Sequence, residues 1–227
     1  MRSRSDHFWQ GMRAEFPLLI GVFPFGMIYG ALAVSAGLSP AAAQSMSWIV
    51  FAGSAQFVTA QLIHETAPAL VMVLTIAVVN LRHMLYSASL APHMVSLPLR
   101  WKVLLAYLLT DEAYAPSVLR YEERGVERFS HWFFFGAGLA LWAEWQVSTA
   151  LGVFLGAVIP ANGPLDFALP LTFIALVVPV LKDRPAVAAA LTAGGAALAA
   201  NGLPYKLGLI LAALTGILVG TWLERRR

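Results

Sequence analysis

The stretch FAGSAQF, residues 51–57, sets a glycine, a serine and an amide into an uncharged run, and NLRHMLYS, residues 80–87, sets an Arg-His pair into another apolar stretch. Around them a chain of 227 residues is 59% hydrophobic and 12% charged, with a mean hydropathy of +0.72. Those values lie far outside the soluble range, so the solvent of this chain is a lipid bilayer. A polar residue inside such a run must face protein or water, because lipid offers it no hydrogen bond. The two stretches therefore separate an inert anchor from a bundle with a polar interior.

About 30 Å of hydrocarbon requires roughly 20 apolar residues per helical crossing. Charge-poor segments run over residues 16–37, 41–63, 67–90, 103–119, 132–160, 165–181, 185–200 and 204–223. The sequence thus predicts an all-α integral membrane protein, a polytopic bundle of about eight transmembrane helices, some of them short or broken. It reads as a single domain over 1–227, with 1–15 a cytoplasmic segment, 16–223 the bundle and 224–227 a basic cytoplasmic tail. The run 16–37 is too long for the apolar core of a signal peptide and reads as the first span. Within it Pro24 and Gly26 predict a kink. Lys182-Asp183-Arg184-Pro185 reads as a tight connection with Pro185 in the first turn of a helix. The Ala-rich stretch 186–202, with Ala190, Gly194 and Gly195, reads as a helix packing face. The absence of cysteine excludes disulfides and metal-thiolate sites.

Eight crossings with the N-terminus inside put eleven Lys and Arg residues on one side and three on the other, leaving Arg82 within a span. If residues 41–63 only dip into the bilayer and return, the count becomes six against eight and the bias vanishes. The sequence therefore favours eight crossings with both termini cytoplasmic. The basic pI of about 9.4 then suits an anionic inner leaflet, and no nucleic-acid motif is present.

Polar residues at membrane depth carry the chemistry, because a charge near the bilayer centre costs at least about 2.5 kcal/mol. They are Gln56 in the second span, Asn80, Arg82, His83 and Tyr86 in the third, Asp111 and Glu112 in the fourth, and Glu144 in the fifth. On a helix, positions 80, 83 and 87 share a face, with 82 and 86 beside it. Arg82 pairs naturally with Asp111 or Glu112. One such pair is equally a lock between two helices, whereas five ionisable residues over three spans point to a hydrated pathway. In FAGSAQF, Gly53 and Ser54 either open a half-helix whose N–H groups suit a carboxylate or make a small-residue packing contact. Spacing leaves both readings open.

FPFGMIYG (23–30), FAGSAQF, NLRHMLYS and TDEAY (110–114), with FFFGAGLALWAEWQVSTALG (133–152) behind them, together resemble the AzlC family, the large subunit of branched-chain amino acid exporters. The resemblance implies a bacterial inner-membrane permease that exports leucine, isoleucine, valine and analogues with a small AzlD-type membrane subunit. A zwitterion needs a cation or N–H cluster for its carboxylate, an acid for its ammonium and an apolar pocket. The expected substrate site is Gly53 and Ser54 with Arg82 for the carboxylate, and Asp111 or Glu112 for the ammonium. Gln56, Asn80 and Tyr86 line it, with Phe51 and Phe57 for the side chain. His83, Asp111, Glu112 and Glu144 are candidates to carry a coupling proton. No catalytic residue, metal or cofactor is expected, since Ser54, His83 and Asp111 come with no nucleophile elbow and no second metal-binding His. A passive channel is the stronger rival, and a purely structural subunit the third possibility.

Overall fold

The structure, a computed structural model, describes residues 3–125, 127–158, 181 and 183–225. These residues form helices and hold no strand. In chain order the helices are α1 (Arg4–Ser35), α2 (Pro40–Ile49), α3 (Gly53–His64), α4 (Ala69–Val79), α5 (Leu81–Met94), α6 (Leu99–Tyr107), α7 (Asp111–Arg124), α8 (Ser130–Val158), α9 (Arg184–Ala199) and α10 (Leu207–Glu224). Three stretches, Arg4–Ser35, Ala69–Met94 and Leu207–Glu224, are each long and apolar enough to cross a membrane. The span expected over 165–181 lies outside the described residues apart from position 181.

The chain divides into two compact units, Met1–Phe57 with Asn80–Ala161, and Val58–Val79 with Asn162–Arg227. The first is organised by α1 against α8. A capping box starts α1: Asp6 N–H donates to Ser3 Oγ (3.1 Å) and Ser3 N–H to Asp6 Oδ2 (2.7 Å). From there α1 runs 32 residues, through Pro17 and Pro24, as one helix. Its Gly26 serves close packing, because a Cβ there would strike Ser148. Gly11 lies in the same way against Phe133 and Ala137, Gly30 against Thr149 and Val153, and on α8 Gly152 against Met27 and Gly156 against Ala31. Contacts rise in number together on both helices, so α1 and α8 are parallel, with backbones in direct contact along the seam. α1 closes on Gly37, whose φ of +95° suits a residue without Cβ, and Leu38 N–H returns to Ala33 O (3.1 Å).

The segments between them are interrupted. Residues 50–52 separate α2 from α3, Asn80 separates α4 from α5, and residues 108–110 separate α6 from α7. The expected uniform spans 67–90 and 103–119 are thus each two shorter helices. At 9 and 14 residues, α6 and α7 reach about 13 and 21 Å, so neither alone crosses the hydrocarbon. Thr110 sets the second start, its hydroxyl accepting from Ala113 N–H (3.4 Å), and places Asp111 and Glu112 in the first turn of α7. By contrast α8 is continuous over 29 residues.

The second unit packs α9 on α10. Asp183 caps α9, its Oδ1 accepting from Ala186 N–H (2.8 Å), and Pro185 sits in the first turn as the sequence predicts. The Ala-rich stretch is a packing face, through residues other than those expected. Ala189 and Ala193 meet Gly216, Ala189 meets Gly220 and Ala200 meets Gly208, whereas Gly194 and Gly195 have open space where a Cβ would be.

Candidate functional site

Three helices begin close together in the first unit. Arg82, in the first turn of α5, donates from Nη1 to Asp111 Oδ2 (2.5 Å) on the first residue of α7 and from Nη2 to Ser54 Oγ (2.6 Å) on the second residue of α3. One guanidinium thus joins the N-terminal ends of α3, α5 and α7. Each end carries N–H groups without an intrahelical acceptor and the positive pole of a helix, roughly half a charge. With Arg82 added and Asp111 opposing, the balance favours an anion. The side chains of Arg82 and Asp111 are 30% and 35% exposed, so the site is half-buried and open to a ligand.

Polar atoms around this junction are left over. Arg82 Nε, Asp111 Oδ1, Asn80 Oδ1 and His83 Nε2 are all buried and hydrogen-bond to nothing among the described residues. Buried groups of this kind normally find partners, so a donor and several acceptors are available to something that enters. Tyr86, one turn beyond Arg82, stacks on Tyr114 of α7 with centroids 4.5 Å apart, and Tyr114 donates to Ser89 Oγ (2.9 Å). His83 meets the Tyr86 ring edge-on at 6.1 Å. Ser87 is exposed, so the polar stripe ends with Tyr86.

Gly53 satisfies both sequence readings. Helix α3 begins at this residue, and a Cβ there would lie 3.0 Å from Trp145 Cη2, so the half-helix start and the packing contact coincide. Gln56 does not join Arg82. It is fully buried, and its Oε1 accepts from Trp145 Nε1 (3.0 Å), because two residues past Ser54 turn the helix by about 200° and carry it to the α8 side. Phe57 packs against Tyr29, and Phe51 against Tyr107.

The sequence missed Glu15, taken there as a residue outside the first span. It lies well inside α1 with no exposed surface, and neither carboxyl oxygen has a hydrogen-bond partner among the described residues. Its one signal is spacing, four residues after Gly11 and eleven before Gly26, on the face that meets α8. Glu112 interacts electrostatically with both Glu15 and Glu144, and the two Glu144 oxygens are likewise buried, with Ser148 the one hydroxyl that acts on them among the described residues. Glu112 is thus the acid that Glu15 and Glu144 have in common. Arg120, counted with the loop charges from sequence, lies buried on α7, donates to Gln10 Oε1 (3.0 Å) and touches His7 Nδ1 (3.1 Å). His7 in turn meets Glu127 at 3.1 Å, which ties the start of α1 to the connection between α7 and α8.

Parallel glycine-packed helices around interrupted ones, with unpaired polar atoms at the breaks, define an all-α integral membrane protein with a polar interior. The chain belongs to the AzlC family: the family described as AzlC protein matches residues 17–159. An uncharacterized membrane protein of Archaeoglobus fulgidus is 33% identical over 97% of both chains. The Inner membrane protein YgaZ of Escherichia coli K12 is 26% identical over 96% of this chain and 93% of its own. The Branched-chain amino acid transport protein AzlC of Bacillus subtilis is 29% identical over 78% of this chain and 70% of its own. No solved structure matches.

Proposed function

We propose that the protein exports branched-chain amino acids across the bacterial inner membrane, by a proton-coupled carrier mechanism and together with a small AzlD-type subunit. The observation that carries this reading is the meeting of three helix N-termini at Arg82, with Asp111 on one side and unpaired acceptors beside it. In it the substrate carboxylate lies at the N-termini of α3 and α5, opposite Arg82. The ammonium takes Asp111 Oδ1 and Asn80 Oδ1, two acceptors with no partner among the described residues. The Tyr86–Tyr114 stack and Phe51 bound the apolar side chain. A relative named for branched-chain amino acid transport supports the substrate class, and one named as an inner-membrane protein supports the location.

The parallel pairing of α1 and α8 supports the orientation. Two parallel spans require an odd number of crossings between them, which three interrupted hairpin arms supply if each crosses once. If the α2–α3 arm only dipped, two crossings would remain and the pair would be antiparallel. That parity is the one the eight-crossing reading needs, and the excess of Lys and Arg on one side supports cytoplasmic termini in it.

Counterflow in proteoliposomes tests the carrier. Vesicles loaded with excess leucine transiently concentrate external labelled leucine if the protein exchanges substrate, and lysine does not compete. Labelled leucine that equilibrates without overshoot identifies a channel, and no flux with or without the small subunit identifies a structural component.

A further inference from the structure

The seam between α1 and α8 holds two acids that the substrate site does not use. His7, Gly11, Glu15, Gly26 and Gly30 fall on one buried stripe of α1, so Glu15 faces the helix with which α1 is packed backbone to backbone. Gly11 lies against Phe133 and Ala137, which puts Glu15 level with residues 137–141, about one turn before Glu144. The four carboxyl oxygens of Glu15 and Glu144 are buried, Glu15 has 0% exposure and no hydrogen-bond donor among the described residues, and the one donor that acts on Glu144 is the Ser148 hydroxyl. Ser148, one turn beyond Glu144, is shared with the Trp145 carbonyl (3.2 Å), so this hydroxyl supplies no positive charge and only part of a donor. The charge that acts on both acids is a third acid, Glu112 of α7.

Tyr86 of α5 interacts with Glu112 as well as with Asp111 and Arg82. On α7, Glu112 has Asp111 beside it; on α5, Arg82 acts on Glu112 but already holds Asp111. His83 of α5 interacts with Arg82 and Asp111 rather than with the seam. Arg13 of α1 is exposed, and α2 presents the neutral Gln44 and Ser47 to Gln146 and Thr149 of α8. Carboxyl groups so placed need a positive partner, since an uncompensated buried charge is far costlier than a satisfied one. No trio of His, Asp and Glu among the described residues is close enough to ligate a metal ion. A proton needs only one oxygen at a time.

We propose that Glu15, Glu112 and Glu144 form a proton-binding site, separate from the Arg82–Asp111 junction, through which proton movement drives substrate movement. The coupling half of this inference rests on the carrier reading above; the proton site does not. One carboxylate oxygen takes a proton from the aqueous phase on one side and gives it up to the other, so a charge moves and no bond outside the O–H changes. The two sites share one element, because Asp111 and Glu112 are consecutive at the start of α7. A displacement of that helix end on substrate binding necessarily changes what Glu112 presents to Glu15 and Glu144.

Infrared difference spectra of the full chain in lipid, taken across a pH titration, test the site without any substrate. A titrating carbonyl-stretch band of protonated carboxyl is expected in the wild type, and Glu15→Gln and Glu144→Gln each remove part of it. Spectra of both variants superimposable on the wild type overturn the site. Transport tests the coupling. One proton per substrate gives about ten-fold leucine accumulation per pH unit of gradient, since each ten-fold is about 1.4 kcal/mol. Glu15→Gln is expected to bring accumulation down to about one-fold while leucine counterflow persists. Ten-fold accumulation retained in Glu15→Gln, or counterflow lost along with it, overturns the coupling. Absence of leucine counterflow in the wild type sinks the substrate reading instead, and the infrared result then decides the proton site alone.

Discussion

Replacing Arg82 by Ala removes the one side chain that joins α3, α5 and α7. Two effects follow and can be separated. The pair with Asp111 is about a third exposed on both sides, which places its worth between the 0.2–1 kcal/mol of surface pairs and the 3–5 kcal/mol cost of breaking buried ones. With that discount for solvent screening, Arg82→Ala should destabilise the protein by about 1–2 kcal/mol, and Asp111→Asn by a similar amount. The double variant should lose little more than either alone, because the second change removes a partner already gone. The effect on substrate is larger. A charge-assisted hydrogen bond to the carboxylate is worth about 1.5–3 kcal/mol, so the Kd for leucine should rise about 10- to 150-fold. Arg82→Lys should recover only part of this, because one ammonium cannot span Ser54 and Asp111 as the guanidinium fork does. Thermal unfolding in lipid nanodiscs reads the first effect and radioligand binding the second. Stability losses that add to within about 0.3–0.5 kcal/mol, with leucine affinity unchanged, would refute the junction as both a lock and a carboxylate site.

The seam makes a sharper structural prediction. Gly30→Leu drives a side chain into the α8 backbone at Thr149 and Val153 and should leave almost no monodisperse protein, whereas Gly21→Leu, with open space around it, should be tolerated; size-exclusion profiles compare them directly. Gly53→Ala asks Trp145 to yield only a few tenths of an ångström and should cost about 1 kcal/mol, while Gly53→Leu should also weaken leucine binding severalfold. Equal affinity in Gly53→Leu and wild type would return this position to packing alone.

Legibility followed the physics of each feature. The bilayer as solvent, the helical class and the Arg82–acid pairing were readable, because apolar run length and the cost of a lone charge are local or nearly so. The start of a helix at Gly53 was readable only as one of two options, since glycine serves both a break and a close contact; here it does both. The interruption at 108–110 was hidden because Leu108 and Leu109 are apolar and the N-cap Thr110 is a common residue in membrane helices too. Gln56 was misplaced because position on a strip of sequence does not say which side a helix faces once it begins anew three residues earlier. Glu15 escaped because it abuts a cationic N-terminal segment, and only its partner helix, more than a hundred residues away, buries it.

The seam between α1 and α8 also sets the order in which the protein is made. Roughly 95 residues separate the end of α1 from the start of α8, so at about 5–20 residues per second the first helix waits roughly 5–20 s for its mate. During that interval its glycine groove and Glu15 have no α8 to cover them, and α3, α5 and α7 emerge with Ser54, Arg82 and Asp111 not yet held in a closed shell. Assembly is therefore completed from the back: the arrival of α8 buries the groove and fixes the distance across which the earlier half-helices meet. A chain truncated before residue 130 leaves the α1 groove and Glu15 uncovered and should be degraded faster than the full chain, which a pulse-chase of both measures.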